Sequence, residues 1–151
     1  MIAYLDTSAF VPLVVEQPTS PVCERIWTDS PVLVSSVMLT AECMAALSMA
    51  RRMGRLGPRG LRTAVANAEE LLGQVALVTA TPSIAAQAGS LALDQGLRAY
   101  DAVHLATALT LRDDASSAEG ADELALVSGD QDLLTAANAV GLTVVRTSAG
   151  G

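Results

Sequence analysis

Apolar and polar positions along this chain fall into two alternating rhythms. Short, nearly unbroken apolar runs read as strands: IAYL (2–5), VLVSS (32–36), VALVTAT (75–81), LALVS (124–128) and LTVVRT (142–147). Between them lie stretches with helical spacing. DTSAF opens a helix after the first strand, TSPVCERIW (19–27) forms a second with Pro21 in its first turn, and VMLTAECMAALSMARRM (37–53) a third. GRLGPRG (54–60) breaks that helix and Pro58 opens the next, which runs to about Leu72, so the two make a helical hairpin. Pro82 starts a helix to Asp94, and Gln95-Gly96 leads into LRAYDAVHLATAL (97–109), apolar on almost every side and therefore expected to be buried. RDDASSAEGADE (112–123) reads as a polar loop and DQDLLTAANAV (130–140) as the last helix. Apolar strands alternating with helices predict a parallel sheet covered on both faces. No repeat or linker divides it, so residues 1–151 form one α/β domain.

Asp101 interrupts this pattern. An ionised carboxylate in a buried helix is costly unless a partner compensates it. Glu42 raises the same question, because it shares a helical face with Met38, Leu39, Ala45, Ala46 and Met49. Asp6 and Asp130 both stand just past the carboxyl ends of apolar strands, the edge at which open parallel sheets bind ligands. Four acids converging there would repel one another unless a cation neutralised them. An all-oxygen set without histidine or cysteine suits a hard divalent ion such as Mg²⁺. Each acid also has a plainer use. Asp6 can cap the helix after it, and Asp130 and Asp132 can both serve as first-turn acids. Glu42 can pair with an arginine, and Asp101 with Arg98 or His104. His104, the sole histidine, reads as a hydrogen-bonded core residue rather than a base or ligand. Asp113, Asp114, Glu119, Asp122 and Glu123 form the solvated loop.

Composition removes several classes. With 51% hydrophobic and 17% charged residues the chain folds, and no apolar stretch is long enough to span a bilayer. The N-terminus lacks the basic region of a secretory signal, which predicts a cytoplasmic protein. Cys23 and Cys43 are isolated and read as reduced, buried thiols; with one histidine they make no structural zinc site. All nine basic residues are arginine. The missing lysine excludes phosphoacceptor receivers, aspartate-nucleophile phosphatases and P-loop enzymes, and the phosphatase pattern also wants an acid where Ser8 stands. The net charge of −7 disfavours a broad nucleic-acid surface. Arg51, Arg52, Arg55, Arg59 and Arg62 are nevertheless clustered on the hairpin, as a solvated face or as a local phosphate-gripping patch.

Taken together, Asp6 of DTS after the first strand, Glu42 in an Ala-rich helix, YDAVHLA around Asp101 and SGD ending at Asp130 resemble a PIN domain. More closely they resemble a VapC-type toxin ribonuclease of bacterial toxin–antitoxin pairs. The resemblance spans the chain from Asp6 to LTVV, and AYDAVHLATAL is its most specific part. It implies a three-layer sandwich: a central, mostly parallel sheet flanked by helices and a helical hairpin. It also implies a Mg²⁺- or Mn²⁺-dependent endoribonuclease acting on RNA. Such a protein is a homodimer held inactive by a VapB-like antitoxin in a heterotetramer or larger assembly. Carried over by position, the site is Asp6, Glu42, Asp101 and Asp130. Asp6 and Asp101 would hold the metal, with Asp130 helping directly or through water, and Glu42 would position or deprotonate the attacking water. Ser128 and Thr7 or Ser8 would orient the carboxylates. GDQD offers a second acid, Asp132; Asp130 keeps the family's hydroxyl–x–Asp order through Ser128. The rival reading is an inert PIN scaffold acting by protein binding.

Overall fold

A computed structural model describes residues 1–117, 120 and 122–148. Strand β1 (Ile2–Leu5) lies at the centre of a five-stranded sheet, with β2 (Val32–Ser36) on one side and β4 (Leu124–Ser128) on the other. β3 (Ala76–Val78) and β5 (Thr143–Arg146) form the edges, and every pairing is parallel, so the sheet is wholly rather than mostly parallel. Among the described residues seven α-helices connect them: α1 (Thr7–Phe10), α2 (Ser20–Asp29), α3 (Met38–Arg52), α4 (Pro58–Leu72), α5 (Pro82–Gln95), α6 (Ala99–Ser116) and α7 (Gln131–Ala139).

Strand alternation divides the core into two layers. Ala3, Leu5 and Val127 face Phe10, Leu39, Cys43 and Leu47, with Ala64, Ala68 and Leu72 of α4 completing that side. Tyr4, Val34, Leu124 and Leu126 face the other way, onto Leu105 and Leu109 of α6 and residues of α5 and α7. The small Ala102, Ala106 and Ala108 let the α6 backbone approach the sheet closely. Truncating Leu105, which is fully buried, would cost about 2–5 kcal/mol. Both cysteines are buried and unpaired, as expected, and burial pushes the Cys43 thiol up to about 11.

Two expectations need correction. Residues 112–116 are not loop, because α6 continues to Ser116. Arg112, Asp113, Asp114 and Ala115 include good helix formers and no glycine or proline; their polarity marks exposed final turns rather than the end of the helix. Glu119 of the expected loop lies outside the described residues. The third strand is also shorter than 75–81. As an edge strand it pairs only through Val34↔Ala76, Ser35↔Leu77 and Ser36↔Val78 before Thr81 turns away to cap α5.

Topology positions the site. From β1 the chain moves outward to β2 and β3, then crosses back to β4 and β5 on the opposite side. The connections therefore diverge at the carboxyl ends of β1 and β4, where a crevice opens.

Candidate active site

Asp6 and Asp130 follow β1 and β4, and each caps the helix after it. Asp6 Oδ1 accepts from the backbone N–H of Ala9 at 3.1 Å. Asp130 Oδ1 accepts from Asp132 at 2.9 Å and Leu133 at 3.0 Å. Capping was the plainer reading of both residues, and it does not compete with a site role: tying Oδ1 to a helix end fixes the plane of the carboxylate and leaves Oδ2 to other partners. For Asp6, the Ser128 hydroxyl donates to Oδ2 at 2.8 Å, and Ser8 donates to Oδ1 at 2.7 Å. Ser128 Oγ in turn accepts from the Asp130 backbone N–H at 2.9 Å, so one hydroxyl links the two strand ends. Gly129 makes this closure possible. Its N–H donates to Ser8 Oγ at 2.7 Å, and a Cβ there would meet Thr147 Oγ1 at 3.0 Å.

Glu42 enters from α3. The Thr7 hydroxyl donates to its Oε2 at 2.8 Å, and His104 Nε2 lies 2.7 Å from Oε1. With Nε2–H donating to the carboxylate, Nδ1 accepts from the Tyr4 hydroxyl at 2.9 Å. A Tyr4–His104–Glu42 chain thus runs from the core to the crevice. His104 is a hydrogen-bonded core residue, as its surroundings predicted, and it takes the place of the arginine considered for Glu42.

Asp101 and His104 stand three residues apart on α6, one facing the crevice mouth and one the core. Asp101 pairs with Arg98, whose Nε lies 3.0 Å from Oδ2, and the same guanidinium places Nη2 3.3 Å from Asp130 Oδ2. That second arm has no signal in the sequence, because it joins residues brought together only by folding.

The acids differ in proton affinity for identifiable reasons. Burial raises the Asp6 pKa despite the donors at Ser8 and Ser128. Among the described residues Asp6 has no ion-pair partner. Burial acts on Glu42 in the same direction, but the hydrogen bonds from His104 and Thr7 outweigh it and hold the carboxyl below its usual value. The hydrogen bond and charge of Asp101, then the charge of Asp130, raise the Arg98 pKa further.

All four predicted acids line one cleft of about 430 Å³, together with Thr7, Ser8, Arg98 and His104. Val11, Pro12, Val15, Ala46, Met49 and Ala50 form its apolar wall, and Arg55 of the predicted cluster lines it too. Arg51, Arg52, Arg59 and Arg62 are exposed on the hairpin. Asp132 does not line this cleft; it lines a neighbouring depression that shares Arg98, Asp101 and Asp130 with it. Among the described residues no three acid, histidine or cysteine side chains close into a ready-made ligand cluster. Asp6 is turned toward its hydroxyl donors, Glu42 toward Thr7 and His104, and Asp101 and Asp130 toward the same Arg98.

The family profile of the PIN domain matches residues 3–139. Ribonuclease VapC45 of Mycobacterium tuberculosis (strain CDC 1551 / Oshkosh) is 32% identical over 143 residues, covering 95% of this chain and 94% of that protein. The crystal structure of Mycobacterium tuberculosis VapC20, a Sarcin-Ricin loop cleaving toxin, superposes with a TM-score of 0.67 at 21% identity, covering 95% of this chain and 98% of that one. VapBC2 from Rickettsia felis, bound to a DNA fragment from its promoter, gives 0.63 at 14% identity over 97% of this chain and 98% of the other. Both likenesses concern the fold.

Proposed function

The chain belongs to the PIN-domain family, and from that premise we propose that its acidic cleft hydrolyses RNA phosphodiester bonds with a divalent metal ion, as the toxin of a toxin–antitoxin pair. The observation that carries this reading is the convergence of Asp6, Glu42, Asp101 and Asp130 on one cleft from four separate elements. Three aspartates suit Mg²⁺ or Mn²⁺ in kind, since all their donors are oxygen and the buried Asp6 has no ion-pair partner among the described residues. Among the described residues only Arg98, an exposed side chain, stands between Asp101 and Asp130. Asp6, Asp101 and Asp130 would hold the ion, which when bound lowers the pKa of water and offsets charge on the phosphoryl oxygens.

The remaining work falls to residues of the chain. Glu42, kept ionised by His104 and Thr7, accepts a hydrogen bond from the attacking water and orients it toward phosphorus. Tyr4 and His104 hold that carboxylate from behind, so its direction is set by the core. Ser128 and Ser8 fix Asp6; the Ser128–Asp6 hydrogen bond ties the end of β4 to that of β1, and the Asp130 backbone N–H holds the Ser128 hydroxyl in place. Arg55 supplies a guanidinium for a neighbouring RNA phosphate.

A VapB-like antitoxin fits the same cleft by charge. A peptide arginine can bridge two carboxylates there, and the apolar wall accepts a helix beside it. The presence of both components in the Rickettsia felis structure supports this partner.

The test is a cleavage assay of the purified chain on total RNA, with Mg²⁺ or Mn²⁺ and with each replaced by EDTA. Metal-dependent appearance of discrete new RNA ends is the expected result. Intact RNA in both metals, from protein free of any co-purified partner, would overturn the nuclease reading in favour of a scaffold.

A further inference from the structure

Arg98 stands where the charge of the cleft calls for a cation. It occupies the N-cap of α6, 80% exposed, and its two donating nitrogens reach carboxylates on different elements. The oxygens it holds are Asp101 Oδ2 and Asp130 Oδ2. Asp130 Oδ1 is committed to the α7 cap, so Oδ2 is the oxygen that Asp130 can offer to a ligand. The guanidinium and a metal ion therefore compete for the same atoms.

We propose that Arg98 is an internal counter-cation for the outer half of the acid site: it holds Asp101 and Asp130 together until a divalent ion arrives, and swings out to admit it. This rests on the metal-nuclease reading above and adds a residue that sets metal affinity. Three observations support it. Without Arg98, Asp101 and Asp130 would have no ion-pair partner among the described residues. The guanidinium fork suits the role, since one lysine ammonium is a point charge that cannot span two fixed carboxylates as well. Release requires only side-chain rotation, because Arg98 is exposed and, among the described residues, donates to no other acceptor. Inhibition by an arginine supplied from a partner would differ, since that arginine arrives with a bound chain and leaves only when the chain does.

The test compares wild type, Arg98→Gln and Arg98→Lys as full chains by calorimetric titration with Mn²⁺, and by melting in EDTA and in saturating Mn²⁺. Arg112→Gln removes the same charge far from the cleft and controls for net charge. Arg98→Gln is expected to bind Mn²⁺ about three- to tenfold more tightly, with Arg98→Lys between it and wild type. In EDTA Arg98→Gln should melt below wild type, because two carboxylates lose their cation, and in saturating Mn²⁺ the two should converge. Wild type binding Mn²⁺ while Arg98→Gln binds no more tightly than Arg112→Gln overturns the counter-cation and leaves the nuclease reading standing. A wild type that binds neither Mn²⁺ nor Mg²⁺ removes both.

Discussion

The inner and outer halves of the cleft hold their acids in opposite ways. Inside, Asp6 is 4% exposed and receives hydrogen bonds from two hydroxyls and a backbone N–H, while Glu42 is fixed by Thr7 and a buried imidazole. Outside, Asp101 and Asp130 share one solvent-exposed arginine. The inner geometry is set by the core and does not depend on a charged surface group. The outer geometry depends on a side chain that water and salt can loosen. Within the inner half, burial pushes both carboxyls the same way, yet only Asp6 ends with a raised pKa. Depth and partner both differ: the hydroxyl donors do not overcome desolvation at the buried Asp6, whereas the imidazole and hydroxyl touching the half-buried Glu42 do. Rigidity is therefore concentrated in the inner half, and adjustability at the rim.

The largest expected effect comes from breaking the outer half. Asp101→Asn keeps the shape and removes the charge, so the fold should persist while RNA cleavage falls by about 100-fold or more. Melting with and without Mn²⁺ checks the cause, since the metal-induced rise should vanish with the activity. A variant that still cleaves and is still stabilised as wild type would remove Asp101 from the site.

Next in size is the contrast within GDQD. Asp130→Ala loses a cleft oxygen and a helix cap, and should lower cleavage roughly 10- to 100-fold with about 1 kcal/mol of stability. Asp132→Ala should leave cleavage near wild type and cost a few tenths to about 1 kcal/mol through the helix dipole. Relative rates and chemical denaturation of the two variants measure this directly, and the reverse order would transfer the role to Asp132.

A pH series sharpens the comparison between the inner acids. Asp6 has a raised native pKa, so its contribution is complete below the unfolded value of about 3.9 and is lost as pH rises through the native value. Asn does not titrate. Asp6→Asn should therefore gain on wild type in EDTA as pH rises through that window, then hold a constant advantage. Glu42 has the opposite sign: its stabilisation is present above its unfolded pKa and disappears as pH falls through the lowered native one. Urea midpoints across pH 3–8 for wild type and Asp6→Asn should diverge upward; lines that stay parallel would contradict the raised pKa.

The smallest effect belongs to Arg55. Arg55→Gln should flatten the salt dependence of RNA binding by about 0.7 in log–log slope for one lost single-strand phosphate contact. Binding to a catalytically silenced Asp101→Asn background gives that slope, and an unchanged value would assign Arg55 to the protein-facing side of the cleft.

Much of this architecture could be read before folding was considered. Apolar runs located the strands, Pro58 and Pro82 opened helices, and Gly96, in the left-handed region at φ +66°, closed one. Asp6 and Asp130 declared themselves by standing at strand ends. The tail of α6 did not, because an exposed helical turn and a polar loop share a composition. Nor did the Tyr4–His104–Glu42 chain. Its three members lie on β1, α6 and α3, and their meeting depends on how α6 seats against the sheet, which spacing along one element cannot express. Arg98 illustrates the same limit: its contact with Asp101 follows helical spacing, while its contact with Asp130 crosses 32 residues.

The pairing of β1 with β4 also sets an order of events during synthesis. Leu5 aligns with Val127, and Ser128 reaches back 122 residues to the carboxylate of Asp6. The first acid is thus made well before the strand that completes its surroundings. Such a pairing is slow to form and cannot be anticipated by local structure. A growing chain carries Asp6, Glu42 and Asp101 without the partner strand that brings them into one cleft with Asp130.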